Sequence, residues 1–187
     1  MKFTRESWIF VTGKAGYGKT VFIKEHIKKL PLNIAYLYDF NRNDYQEFKE
    51  NQNLWNVETG SQKETEKFMD LVYNHGNCFT VFDEADNYFL YPSEKIRRFV
   101  NTARNRGIGA MVNAKRAKSI QPVYRNRFTH LILFNVSIPE DIRYLEDWAG
   151  VPKGEFKILK RLKIGEHLNI DLEKSLIVKE KPLKLKQ

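Results

Sequence analysis

The chain has 187 residues, with 32 Lys and Arg against 23 Asp and Glu, a formal net charge of +9, 42% hydrophobic residues and one cysteine. That length fits one hydrophobic core with at most a small appendage, and the 13% aromatic content excludes a disordered chain, because enough surface can be buried to offset the entropy of ordering. Cys78 alone cannot build a disulfide framework, no apolar run approaches the ~20 residues that span a bilayer, and the apolar stretch in MKFTRESWIFVTGK is too short for a signal peptide, so a soluble, unexported protein is expected.

The elements follow in chain order. Ser7 to Val11 is a short apolar run ending at Thr12-Gly13, a buried strand meeting a turn. Val21, Phe22, Ile23, His26, Ile27 and Leu30 have helical spacing up to Pro31, and Asn33 to Asp39 reads as a second buried strand. Phe40 to Asn56 is polar and Asn-rich, predicting loop with a short helix, and Gln62 to Tyr73 predicts a helix. Cys78 to Phe82 is the third strand. Pro92-Ser93 opens a helix capped by Ser93 whose inner face carries Ile96, Phe99, Val100 and Ala103, and which Gly107 and Gly109 end. Ile108 to Ala114 and Thr129 to Phe134 are the fourth and fifth strands, and Pro139 to Trp148 is a helix. Glu155 to Leu159 and Leu168 to Ile170 are expected to pair as a terminal hairpin. Strands alternating with helices indicate a mainly parallel α/β sheet covered on both faces.

Charge is unevenly placed along these elements. From Lys95 to Arg127 there are ten Lys and Arg and no acid, whereas the other residues carry 22 basic and 23 acidic side chains. From Val151 onward ten basic residues face five acidic ones, a second and weaker surplus. A basic band in an otherwise neutral chain predicts contact with polyphosphate, nucleic acid included; a solvated face is the competing reading.

Two motifs carry chemistry. Gly13-Lys14-Ala15-Gly16-Tyr17-Gly18-Lys19-Thr20 satisfies G-x-x-x-x-G-K-[ST], the Walker A loop, between a predicted strand and a predicted helix. Its glycines let backbone N–H groups wrap a phosphate chain, and the helix that follows, with Val21 in its first turn, adds the positive end of its dipole. Lys19 is expected on the β and γ phosphates of ATP, the Thr20 hydroxyl on Mg²⁺, and Tyr17 over the phosphates or stacked locally. Asp83 and Glu84 end an apolar strand as a Walker B pair, Asp83 for Mg²⁺ and Glu84 as the base that orients water. Asp86 is a turn residue in this reading. The tetrad spells D-E-A-D, but a helicase of that name needs two recombinase-like domains, and this chain holds one. His26, His75, His130 and His167 are isolated, with no zinc spacing.

FDEADNYF, then ARNRGIGAMVNAKRAKSI and FTHLILFNV, is similar to the FtsK/HerA superfamily of DNA-pumping ATPases; the early strand ending Tyr36-Leu37-Tyr38-Asp39 also resembles theirs. In particular the chain resembles the small packaging ATPases of membrane-containing icosahedral viruses, and Zot-related phage ATPases share much of the pattern. The resemblance implies an α/β P-loop NTPase of the ASCE/RecA-like type, with a core over residues 1–150 and a basic extension over 151–187 packed on or near it, bearing a short β element. It implies ATP on Gly13, Gly16, Gly18, Lys19 and Thr20, and a catalytic arginine, Arg104 or Arg106, reaching a neighbouring subunit's nucleotide. The family's sensor after the fourth strand is usually Gln; Lys115 stands here, so either Asn113 or Lys115 is the candidate. The leading function is a pentameric or hexameric homo-oligomeric ring that pumps double-stranded DNA, most specifically into a viral capsid, with Lys115, Arg116, Lys118, Arg125 and Arg127 facing the DNA. Its place is the host cytoplasm or the virion, and a capsid vertex or membrane protein is a further partner. A Zot-like assembly or secretion ATPase is the second reading, and a nucleotide switch or small-molecule kinase the third.

Overall fold

The computed structural model describes residues 3–89 and 93–182. Its strands are β1 (Trp8–Thr12), β2 (Ala35–Asp39), β3 (Asn53–Asn56), β4 (Phe79–Phe82), β5 (Gly109–Ala114), β6 (His130–Leu133), β7 (His167–Asp171) and β8 (Leu176–Glu180). They form one sheet in the order β3-β2-β4-β5-β1-β6-β7-β8. The first six run parallel, and β7 and β8 join antiparallel. The helices are α1 (Lys19–Ile27), α2 (Gln62–His75), α3 (Glu94–Thr102), α4 (Pro122–Arg125) and α5 (Pro139–Ala149).

Alternation along β1 shows how this sequence covers both faces. Trp8 and Phe10 point into one core with Phe68, Phe82, Phe99 and Leu145, while Ile9 and Val11 point into the other with Phe22, Ile23, Val81 and Met111. Both faces of the central strands are therefore dry, which is why those strands read as unbroken apolar runs. The helices start where their chemistry directs. Ser61 Oγ accepts the N–H of Glu64 to open α2, and Ser93 Oγ accepts that of Ile96 to open α3 as expected; Pro92 lies outside the described residues.

Two expectations need correction. Asn53-Leu54-Trp55-Asn56 is strand rather than loop: it pairs with β2 as the sheet edge, where half-exposed Asn residues are tolerated. Glu155 to Leu159 is not strand. It belongs to a 3-10 helix over Glu155–Arg161, because the Glu146 carboxylate accepts the N–H groups of Gly154 and Phe156 and opens the turn, and Phe156 and Leu159, three apart, fall on one buried face. The terminal hairpin is instead β7 with β8, whose Leu176 and Ile177 are exposed.

Burial sets one expected pH response. His26, in α1, packs edge-on against Phe3 and tilted against Phe79, and burial, aided by Lys29, lowers its pKa from 6.5 to about 4. The unfolded chain binds that proton first on acidification, so its share of stability is complete above pH 6.5 and is lost as the pH falls toward 4. Replacing His26 by Phe should remove about 2–3 kcal/mol of the acid-side loss, read from urea midpoints at pH 7.5 and 4.5.

Candidate nucleotide site

The parallel registers bring the C-terminal ends of five strands to one edge: Thr12 lies level with Ala114 and Leu133, and Phe82 lies level with Val112 and Tyr38. The loops that leave β1, β4 and β5 at that edge carry the phosphate-loop, acidic-pair and Lys115 residues.

The turn after β1 has Gly13 at φ +140°, Gly16 at φ +79° and Gly18 at φ +103°. At Gly13 even a methyl group would lie 2.8 Å from Phe134 Cβ, so only glycine admits this approach. Gly18 is the N-cap of α1 and offers no capping side chain, and no acid occupies the first turn, which leaves N–H groups and the dipole free for an anion. Lys19 is buried and folds back across the loop, donating to the carbonyls of Gly13 at 2.7 Å and Lys14 at 3.3 Å; desolvation lowers its pKa, against the pull of Glu84 and Asp83. The Lys14 ammonium lies 5.8 Å from the Tyr17 ring centroid, a local stack over the loop mouth, and Val21 flanks the loop exposed. Ala15 is exposed and Thr20 half-buried.

Beside the loop, Asp83 is buried and its Oδ1 accepts a 2.5 Å hydrogen bond from the Asn113 amide. Among the described residues Oδ2 has no partner, and neither has the buried Asp39 Oδ1. Burial raises the Asp83 pKa to about 7; Asn113 opposes the shift, and Glu84, Asp44 and Asp39 add to it. Oxygens of Asp39, Asp44 and Asp83 lie within 4.8 Å of one another, an acidic pocket whose first and second members were not read as site residues from the sequence. The available signal was Asp39 ending an apolar strand; Asp44 carried none, since its loop is placed by the Asp39 carboxylate, which accepts the N–H of Tyr45.

Glu84 sits at φ +50°, a left-handed conformation for a non-glycine residue, and its carboxylate meets the Lys115 ammonium at 2.7 Å. Lys115 is anchored by its own N–H, which donates to Asp86 Oδ1 at 3.0 Å. Both sensor candidates thus touch the acidic pair: Asn113 holds Asp83, and Lys115 holds Glu84.

Arg104 and Arg106 precede β5 and so lie at the opposite edge of the sheet, about 17 Å away by strand rise. Neither reaches its own nucleotide loop. Arg106 donates to the carbonyls of Tyr73 and Asn74 and covers the Tyr73 ring, while exposed Arg104 has a 3.7 Å contact with Glu173.

The five cations expected to face DNA are engaged within the chain. Besides Lys115 with Glu84, Arg116 pairs at 2.6 Å with buried Asp141, and Lys118 pairs with Glu140 at 3.3 Å. Arg125 lies 3.5 Å over the Tyr144 ring and Arg127 bonds Asn101 at 3.1 Å. Asp141 and its neighbour Glu140, at the start of α5, are 22 to 25 residues away in sequence, so the basic window gave no sign of them.

No family model matches the chain, and no curated protein matches it. Solved structures do. The genome-packaging NTPase B204 of Sulfolobus turreted icosahedral virus 2, in complex with AMPPCP, superposes with a TM-score of 0.82 at 18% identity over 96% of this chain and 99% of that one. B204 of Sulfolobus turreted icosahedral virus, described as a DNA-packaging ATPase, gives 0.80 at 17% over 96% and 100%. The conjugation coupling protein TcpA of pCW3 gives 0.67 at 14% over 94% of this chain and 60% of that one. The chain thus has the P-loop NTPase fold of these neighbours, the fold that the resemblance drawn from the sequence implied.

Proposed function

We propose that this protein is an ATP-hydrolysing motor that moves double-stranded DNA, in its most specific form packaging a viral genome into a capsid, and that it works as a homo-oligomeric ring. One observation carries the reading: Lys19, Asp83 and Glu84 converge at one sheet edge, beside a glycine turn that opens α1 with no capping side chain and no acid in its first turn, so that N–H groups there can cradle phosphate. B204, whose fold this chain shares over 96% of its length, supports the packaging form.

The donor set fits Mg²⁺. Thr20 and Asp83 would hold it, and the partnerless Asp83 Oδ2 and Asp39 Oδ1 are buried acceptors that a divalent ion satisfies. When bound, the ion neutralises phosphate charge. The chain's own groups do the rest: the loop N–H groups and Lys19 hold the phosphates, and Glu84 takes the proton of the attacking water. Glu84 is tied to Lys115 at 2.7 Å, so the ammonium must be drawn off before Glu84 can act as a base.

The test is steady-state ATP hydrolysis with and without duplex DNA over a salt series, together with sizing in the presence of ATP and Mg²⁺. Expected are turnover stimulated by DNA at low salt and a shift to an oligomer. A monomer whose turnover ignores DNA and which retains no DNA at low salt would overturn the motor reading.

A further inference from the structure

Half of the basic cations located by sequence are paired within the fold. Of the ten cations from Lys95 to Arg127, Lys95, Arg104, Lys115, Arg116 and Lys118 have carboxylate partners. Among the described residues Arg97, Arg98, Arg106, Arg125 and Arg127 have none, spread over 31 residues; a denser uncompensated group lies further along the chain. Residues 153 to 163 hold Lys153, Lys157, Lys160, Arg161 and Lys163 against the single Glu155, a net charge of +4 over eleven residues. All five cations are exposed, and among the described residues none has a carboxylate within ion-pair distance.

The segment is rigidly placed. Phe156, Leu159 and Leu162 anchor it in the core, and the 3-10 helix turns Lys157, Lys160 and Arg161 outward. It is also wired to the nucleotide loop at two points. The Asn135 amide donates to the carbonyls of Lys160 and Leu162, while the Asn135 carbonyl accepts the N–H of Lys14 at 2.7 Å. At its far end Gly165 N–H donates to the Tyr17 carbonyl at 3.0 Å, and Gly165 lies against Gly18. The nucleotide loop and the basic strip are thus joined by two hydrogen-bonded connections, one through the Asn135 side chain and one from backbone to backbone.

We infer that the strip from Lys153 to Lys163 is the surface that grips the DNA backbone. Five unpaired cations on long side chains suit a polyphosphate; the large apolar groups exposed beside them, Ile158 and Ile164, are too few to seat a lipid-inserting face. This inference rests on the DNA-motor reading and replaces the paired cations near Lys118 as the contact surface.

The experiment is fluorescence anisotropy of a labelled duplex from low to moderate salt, with intact full-length protein. Every cation taken away from a phosphate lowers the slope of log affinity against log salt by roughly 0.9. Lys157→Gln, Lys160→Gln, Arg161→Gln and Lys163→Gln together should flatten that slope by about 3 to 4 units, and Lys157→Gln with Lys160→Gln by about half as much. Both variants should keep wild-type ATP hydrolysis without DNA. The controls Arg116→Gln with Lys118→Gln, and Arg97→Gln with Arg98→Gln, should leave the slope unchanged. An unchanged slope in the strip variants, or a slope lowered by a control pair instead, overturns the inference while leaving the motor reading intact; wild-type protein that binds no duplex removes both. Binding to phosphatidylserine vesicles that the strip variants abolish, with duplex binding unaffected, would reassign the strip to membrane and also overturn it.

Discussion

Glu84→Gln should bind ATP as the wild type does and hydrolyse it about 10²- to 10⁴-fold more slowly, the usual span for removing a general base. The substitution preserves shape and keeps a carbonyl oxygen facing Lys115, so the loop should be undisturbed. What disappears is the ability to accept a proton beside Asp83. Single-turnover hydrolysis and titration with a fluorescent ATP analogue separate the two effects. Lys19→Ala is the contrasting control: its buried ammonium donates across the phosphate loop, so binding itself should weaken. Wild-type hydrolysis by Glu84→Gln would exclude Glu84 as the base.

Arg104→Ala should lower turnover about 10³-fold or more while leaving nucleotide affinity nearly unchanged, as expected for an arginine supplied to a neighbour's transition state. Position decides that it cannot act in its own subunit, since it lies before β5 while the phosphate loop follows β1 at the other edge of the same parallel sheet. Of the two candidates, Arg104 is the freer. Arg106 serves its own chain, capping the last carbonyls of α2 and covering Tyr73, so Arg106→Ala should mainly cost stability, about 1 kcal/mol. Mixing Arg104→Ala with Lys19→Ala subunits should restore part of the activity, because some interfaces then pair an intact arginine with an intact loop. Absence of any recovery, with oligomers present, would exclude a shared site.

Much of the site was legible because its parts are local. The proposed phosphate loop is one contiguous stretch that holds its glycines, lysine and threonine together, and the strand before it and the helix after it have apolar spacing that survives without context. The acidic pair at Asp83 and Glu84 is likewise contiguous with its strand. Asn113 and Lys115 could be named as alternatives because their strand was visible, but that they hold different acids follows only from β5 lying beside β4. Asp44 was not legible, because a loop residue becomes part of a site only when a fold carries it there. The two misread elements share a cause: β3 and the 3-10 helix are short, polar and half-exposed, so their form is set by an edge pairing and by the distant Glu146 carboxylate.

The amino-acid sequence by itself determined the fold class and singled out the glycine loop and the acidic pair as candidates, since each depends on residues within a few positions of one another. Tertiary structure decided where the charge is free. Basic residues cluster by position along the chain, but whether a cation is neutralised depends on acids brought to it from far away, as Asp141 is to Arg116 and Asp70 to Lys95. Half the cations of the window rich in lysine and arginine are therefore paired, and residues 153 to 163, hydrogen-bonded to the nucleotide loop, hold the densest group left facing solvent without a carboxylate among the described residues.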